Sequence, residues 1–117
     1  MNAADIVQRQ LEAYNARDLD RFVATYADDI RIFRLPAAEP AISGKAQLAE
    51  VYGARFSVPA LHADILARIV PGNKVIDHER VRGIRQDPIE ALAIYEVSSD
   101  LIQTVWLFQG QSSPARS

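Results

Sequence analysis

The hydrophobic periodicity of the chain changes near Pro59, and this change restricts the fold more than any other feature. Before it, apolar residues recur at the three- and four-residue spacing of amphipathic helices, apart from one short strand at 30–35. After it, apolar and polar residues alternate as in half-buried strands, with turn residues at 71–73, 85–88 and 98–100. Helices first and an antiparallel meander last predict an α+β fold with the helices packed on one face of a sheet.

Three helices and five strands follow from these patterns. The first helix begins after a predicted N-cap at Asn2 and presents an apolar stripe as far as Tyr14. The second runs from Leu19 to Tyr26, and the third follows a predicted N-cap at Ser43. The strands are predicted at 30–35, 61–70, 74–83, 89–97 and 101–108.

Length and composition restrict the domain organisation and the classes of partner. The 117 residues suffice for one domain, predicted at 1–110, with a flexible polar tail at 111–117. The formal net charge of −2 and the lack of a basic run argue against a nucleic-acid partner. No apolar run approaches the roughly 20 residues of a membrane helix, and the N-terminus has no signal-peptide pattern. We therefore expect no membrane partner and a soluble, cytoplasmic protein.

Residues that commonly hold metals or cofactors are scarce. The sequence has no cysteine, which excludes disulfides, thiolate metal sites and a cysteine nucleophile. His62 and His78 share no strand face and so predict no zinc site. Gly44-Lys45 lacks the remainder of a phosphate-binding loop. We predict neither a metal nor a cofactor.

The strand predicted at 74–83 carries two acids between two valines. Because successive side chains of a strand point to opposite faces, Asp77 and Glu79 share one face with Val75 and Val81. If this face is turned inward, two nearby carboxylates disfavour joint ionisation, and one of them gains proton affinity. A carboxyl group of that kind suits general acid–base catalysis or the activation of water.

The orientation of this strand is open in the sequence. The valines favour acids turned inward, and Arg34, if it also points inward, is then the expected counter-charge. In one alternative the strand is turned the other way, with Ile76, His78 and Arg80 inward. In the other, the two acids line a wet pocket mouth and have no chemical role.

Six segments carry a family resemblance: Ile6–Arg9, Tyr14–Asp20, Tyr26–Asp29, Glu39–Pro40, Ser43–Gly44 and Tyr95–Phe108. These segments and the order of the elements resemble the NTF2-like superfamily, in particular its SnoaL-like and ketosteroid-isomerase-like members. The resemblance implies a cone, in which three helices cross the concave face of a curved, mainly antiparallel sheet and enclose a deep apolar pocket. It also implies a homodimer formed through the outer face of the sheet.

The catalytic residues of the isomerase-like members are not retained in kind. Their helix-1 tyrosine corresponds to Gln10, their aspartate base to Arg34 or Leu35, and their second oxyanion donor to Tyr95. Tyr95 can still donate a hydrogen bond, but the base is missing. A steroid-isomerase activity would therefore rest on the resemblance in fold alone.

The same correspondence implies a set of pocket-lining, ligand-binding residues. Aromatic side chains with polar tips suit the wall of such a pocket, although an aromatic core explains any one of them equally well. The implied ligand-binding residues are Gln10, Tyr14, Tyr26, Arg34, Tyr52, Thr104, Trp106 and Phe108, with Tyr95 beside them.

Two functional hypotheses follow. The first is an isomerase or hydrolase that acts on a small apolar molecule, in which Asp77 or Glu79 transfers a proton and Tyr95 donates to an oxygen. The second is a non-catalytic module for ligand binding or dimerisation, which the missing base favours. Acids neutralised by arginines inside a closed interior would support the second hypothesis.

Overall fold

The structure is a computed structural model, and it describes residues 1–109. It confirms the predicted α+β fold, in which helices pack on one face of a mainly antiparallel sheet. The tail predicted at 111–117 lies outside the described residues. The helices are α1 (Ala3–Ala16), α2 (Leu19–Val23) and α3 (Lys45–Arg55), and the strands are β1 (Tyr26–Arg34), β2 (Ile42–Ser43), β3 (His62–Ile69), β4 (Lys74–Arg82), β5 (Ile89–Ser98) and β6 (Leu101–Gln109).

The six strands form one sheet in the order β2-β1-β6-β5-β4-β3. Strands β3 to β6 form the predicted antiparallel meander, and β1 joins it by running parallel to β6. Three strand pairs contain a register shift: β1–β6, β3–β4 and β5–β6. Such bulges bend and twist a sheet locally, which suits the curvature needed to enclose the helices.

Helix α1 is fixed at both of its ends. At its start, Asn2 and Asp5 form a capping box. At its end, the Asn15 side chain accepts from the backbone N–H of Ala63 at 2.8 Å and donates to the same residue's carbonyl at 3.0 Å. These two bonds pair α1 with the edge strand β3. The helix then contacts each strand of the meander, so it lies across the inner face of the sheet.

Two predicted boundaries are wrong near α2 and α3. Tyr26 begins β1 instead of ending α2, because the short helix stops at Val23 and Thr25 binds back to the Phe22 carbonyl at 2.7 Å. Ser43 belongs to β2, and the N-cap of α3 is Gly44, whose φ of +88° is open to glycine at little cost. No helix of the described chain is long and apolar enough to cross a membrane.

An aromatic cluster joins the helices to the sheet. Phe22 of α2 lies at its centre, with ring centroids 4.7 Å from Tyr52 and 5.0 Å from Tyr26. Tyr14 and Phe56 add edge-on contacts, and their ring centroids are 5.5 Å apart. Rings packed in this way contribute about 0.5–1.5 kcal/mol per pair beyond the area they bury. The cluster therefore fixes the tyrosines whose hydroxyl groups face the interior.

Candidate functional site

The inner face of β4 holds both acids. Val75 and Asp77 are fully enclosed, with 0% and 1% exposure, and Val81 is 7% exposed. On the opposite face, the His78 Nε2 lies 2.9 Å from Glu90 Oε1 near the solvent. The alternation of the sequence thus predicted the direction of β4 correctly, and the arrangement with His78 inward is excluded.

Asp77 is held by an arginine on the neighbouring strand. Arg68 donates from Nε to Oδ1 at 2.6 Å and from Nη2 to Oδ2 at 2.9 Å, which is a bidentate pair. Its Nη1 also donates to Gln8 Oε1 at 2.9 Å. The hydrogen bonds to Asp77 raise the pKa of the Arg68 guanidinium. Both oxygens of the buried carboxylate are therefore satisfied by one partner.

The prediction of Arg34 as the counter-charge of the acids is wrong. The β3–β4 register shifts between Ile65 and Ala67, so the alternation of β3 changes phase within the strand. After the shift, Arg68 stands opposite Asp77 and reaches the inner face. Simple alternation puts Arg68 on the outer face with Asp64, which is why its role was not apparent in the sequence.

A cavity of about 90 Å³ lies between the inner face of the sheet and the helices. Glu79 lines it, whereas Asp77 lies outside its lining. This volume is small beside the roughly 300–1,000 Å³ of common ligand pockets, so a ligand must be small or must displace side chains at the mouth. The predicted site residues in the lining are Gln10, Tyr14, Tyr26, Arg34, Tyr52, Glu79 and Tyr95.

Glu79 is the carboxyl group that lines the cavity. Burial raises its pKa from 4.5 to about 7, and the charge of Asp77 adds to the rise, while Arg55 and Arg68 oppose it. Among residues 1–109, no hydrogen bond or ion pair engages its carboxylate. A carboxyl group with this pKa is present in both protonation states near neutral pH, as acid–base catalysis requires.

Phenolic hydroxyl groups surround this carboxyl. Burial is the largest cause of the raised pKa of all four lining tyrosines: to about 12 for Tyr14, upward for Tyr52, and well upward for Tyr26 and Tyr95. The hydroxyl groups therefore stay protonated and can donate hydrogen bonds. In residues 1–109, no three histidine, cysteine, aspartate or glutamate side chains gather as metal ligands.

Three of the implied pocket residues lie on the wrong side of the sheet. Tyr95 faces inward and is paired with Val105, so the neighbouring Thr104 and Trp106 face outward. Trp106 stacks on Phe33 of β1 with ring centroids 6.5 Å apart, and Phe108 is 51% exposed. The side chains of β6 that line the cavity are Val105, Leu107 and Gln109.

Arg55 is a cavity residue that the sequence reasoning missed. It is the last residue of α3, and its guanidinium carbon lies 5.2 Å from the centre of the Tyr52 ring. A signal was present, since Arg55 follows Tyr52 by three residues, which puts both on one face of a helix.

The sequence family of the chain agrees with this geometry. The model of the SnoaL-like domain family matches residues 7–105, which include every helix and every strand in whole or in part. The chain belongs to the SnoaL-like domain family. The predicted NTF2-like superfamily is thereby confirmed. No curated protein matches the chain significantly.

Several solved structures share the fold of this SnoaL-like domain. An uncharacterised cystatin-fold protein from Novosphingobium aromaticivorans is 23% identical, with 92% of this chain and 97% of the other covered at a TM-score of 0.84. A provisionally named ketosteroid isomerase from Kribbella flavida is 16% identical, with 94% and 78% covered at 0.81. A provisionally named polyketide cyclase from Sinorhizobium meliloti is 20% identical, with 88% and 93% covered at 0.77. At these identities, the likeness establishes the fold alone.

Proposed function

We propose that this SnoaL-like protein is an acid–base enzyme of the isomerase or hydrolase kind, with Glu79 as the group that transfers the proton. One observation carries the proposal: Glu79 lines the cavity with a pKa of about 7 and no ionic partner among the described residues. The interior contains a second acid, Asp77, whose oxygens are both held by Arg68. Asp77 therefore acts through its charge on Glu79 and does not touch the substrate.

The surroundings of Glu79 support two related reactions. In an isomerisation, its carboxylate removes a proton next to a carbonyl group and returns it at another carbon. In a hydrolysis, it removes a proton from the attacking water. Either reaction builds negative charge on a substrate oxygen, and the hydroxyl group of Tyr95 or Tyr26 can donate to that oxygen. The missing base at Arg34 is then replaced by a carboxyl group on a different strand.

The structural neighbours agree with a small organic substrate. The provisional names of two of them, ketosteroid isomerase and polyketide cyclase, denote enzymes that act on small organic molecules. Transfer of that substrate class to this chain is part of the proposal, as are the cytoplasmic location and the homodimer through the outer sheet face.

The proposal is tested with small probes of proton transfer. Exchange of α-hydrogen for deuterium in cyclohexanone and 2-cyclohexenone reports isomerase-like proton removal, and loss of styrene oxide reports hydrolysis. We expect the wild type to accelerate at least one reaction and Glu79→Gln to lose roughly 100-fold or more of that rate. Glu90→Gln, which alters an exposed acid of the outer face, serves as the matched control and should keep the rate.

A specific observation favours the non-catalytic alternative, since an arginine neutralises Asp77 and the cavity is small. The same experiment separates the two. If no probe reacts faster with the wild type than with Glu79→Gln, and the Glu79 carboxyl titrates near 4.5 in carbon-detected NMR, the chain is a binding or dimerisation module.

A further inference from the structure

Two arginines line the cavity in addition to Glu79. Arg34 ends β1 and Arg55 ends α3, and both line the space that Glu79 lines. Arg34 is exposed and Arg55 is half-buried, so they stand where the cavity meets the solvent. Within residues 1–109, neither guanidinium has a carboxylate within 4.0 Å. A pair of guanidinium groups without acidic partners at a pocket mouth indicates a negatively charged occupant.

The charges of the interior favour the same conclusion. Arg68 compensates Asp77, and Glu79 is only partly ionised near neutral pH. The positive charges of Arg34 and Arg55 therefore exceed the negative charge that faces them. Both oppose the rise in the pKa of Tyr52, which shows that the two guanidinium groups act on one place in the cavity.

We propose that the cavity takes a small apolar molecule that carries one carboxylate, and that Arg34 and Arg55 hold this carboxylate at the mouth. The inference deepens the proposed function, on which it rests for the reaction of the bound molecule but not for its binding. The apolar body of the ligand would lie against Ile32 and Val105, which line the cavity and are almost fully buried.

The geometry of the arginines suits a carboxylate. A guanidinium presents parallel N–H donors that match the two oxygens of this planar group. The cation–π contact of Arg55 with the Tyr52 ring restrains one guanidinium before any ligand arrives. A neutral ligand of the same shape would cover these cations without providing an acceptor of equal strength, which costs binding free energy.

Benzoate and benzamide are suitable probes because they have the same shape and differ in charge. We expect calorimetry at pH 7 and low salt to give benzoate at least tenfold tighter binding than benzamide. Arg34→Gln and Arg55→Gln should each weaken benzoate binding roughly 10- to 100-fold, as expected for a hydrogen bond to a charged group, and leave benzamide nearly unchanged.

Arg80→Gln is the matched control, since it removes a positive charge from the outer face of β4. It should leave benzoate binding unchanged, and urea unfolding should show that every variant remains folded. Equal binding of the two probes would overturn the inference. So would an Arg80→Gln effect as large as that of Arg34→Gln, which would indicate a general effect of charge.

The binding experiment is independent of turnover and therefore distinguishes the two proposals. Selective benzoate binding without Glu79-dependent turnover would refute the enzyme and retain the carboxylate site. Glu79-dependent turnover of neutral probes without a preference for benzoate would retain the enzyme and refute the carboxylate site.

Discussion

The two acids of β4 lie on one strand face but in different surroundings. Asp77 is enclosed and binds Arg68 through both oxygens. Glu79 faces the cavity, and its carboxylate has no hydrogen-bond or ion-pair partner among the described residues. The alternation of one strand thus supplies both groups, and a bulge in the neighbouring strand β3 decides which of them is neutralised.

The distance between the two acids explains why one arginine does not serve both. Residues two apart on a strand have Cα atoms about 6–7 Å apart, and the three nitrogens of the Arg68 guanidinium are directed at Asp77 and Gln8. Asp77 therefore becomes a structural ion pair. Burial raises the pKa of the Glu79 carboxyl, and the negative charge of Asp77 raises it further.

Removal of Arg68 should have the largest effect on stability. Arg68→Ala leaves the charge of Asp77 enclosed without a partner, which typically costs about 3–5 kcal/mol. We expect the free energy of unfolding, measured with urea, to fall by that amount at pH 7.

The matched control replaces both members of the pair. Arg68→Met combined with Asp77→Leu removes both charges and keeps the volume, so it should cost far less than Arg68→Ala alone. A double variant as unstable as the single one would mean that packing around Asp77 and Arg68, and not the unpaired charge, causes the loss of stability.

The ionisation of Glu79 should have the next largest effect on stability, and this effect depends on pH. The pKa of the Glu79 carboxyl is about 7 in the folded protein, against 4.5 ordinarily. Between these values, the folded state holds a proton that the unfolded chain has released, so this group lowers stability as the pH rises. The full cost above pH 7 is on the order of 3 kcal/mol.

The difference between Glu79→Gln and the wild type isolates this contribution. At pH 5 the two proteins should have similar free energies of unfolding, and at pH 8 the variant should be the more stable by that amount. Glu90→Gln should follow the wild type at both pH values, because Glu90 is on the outer face. A Glu79→Gln difference that does not change with pH would show that Glu79 titrates normally.

The fold and one wall of the site were predictable from the sequence. Alternation with two valines favoured the correct direction of β4, since its opposite face carries His78 and Arg80. The resemblance to the NTF2-like superfamily gave Tyr14 and Tyr52 their correct direction toward the cavity. These predictions held because each element had one apolar and one polar side.

The remainder of the site depends on features that leave no clear periodic signal. Strand β6 is apolar on both faces, so its sequence did not show that Val105 faces inward and Trp106 outward. The bulge in β3 reverses the direction of Arg68 with no glycine or proline at residues 65–67 to mark it. The partner of Asp77 was therefore beyond reach of alternation alone.

The smallest expected effect concerns Gln8, whose Oε1 accepts a hydrogen bond from Arg68 Nη1 at 2.9 Å. Gln8→Ala removes one hydrogen bond to a charged group near the surface, and we expect a loss of about 1 kcal/mol in urea unfolding at pH 7. Because Asp77 keeps its bidentate partner, neither the pKa of Glu79 nor turnover of the probes should change. Gln47→Ala, on α3, is a control for the loss of a glutamine hydrogen bond at an exposed site. If Gln8→Ala shifted the Glu79 titration, Gln8 would be needed to hold Arg68, whose charge lowers the pKa of Glu79, in its place beside Asp77.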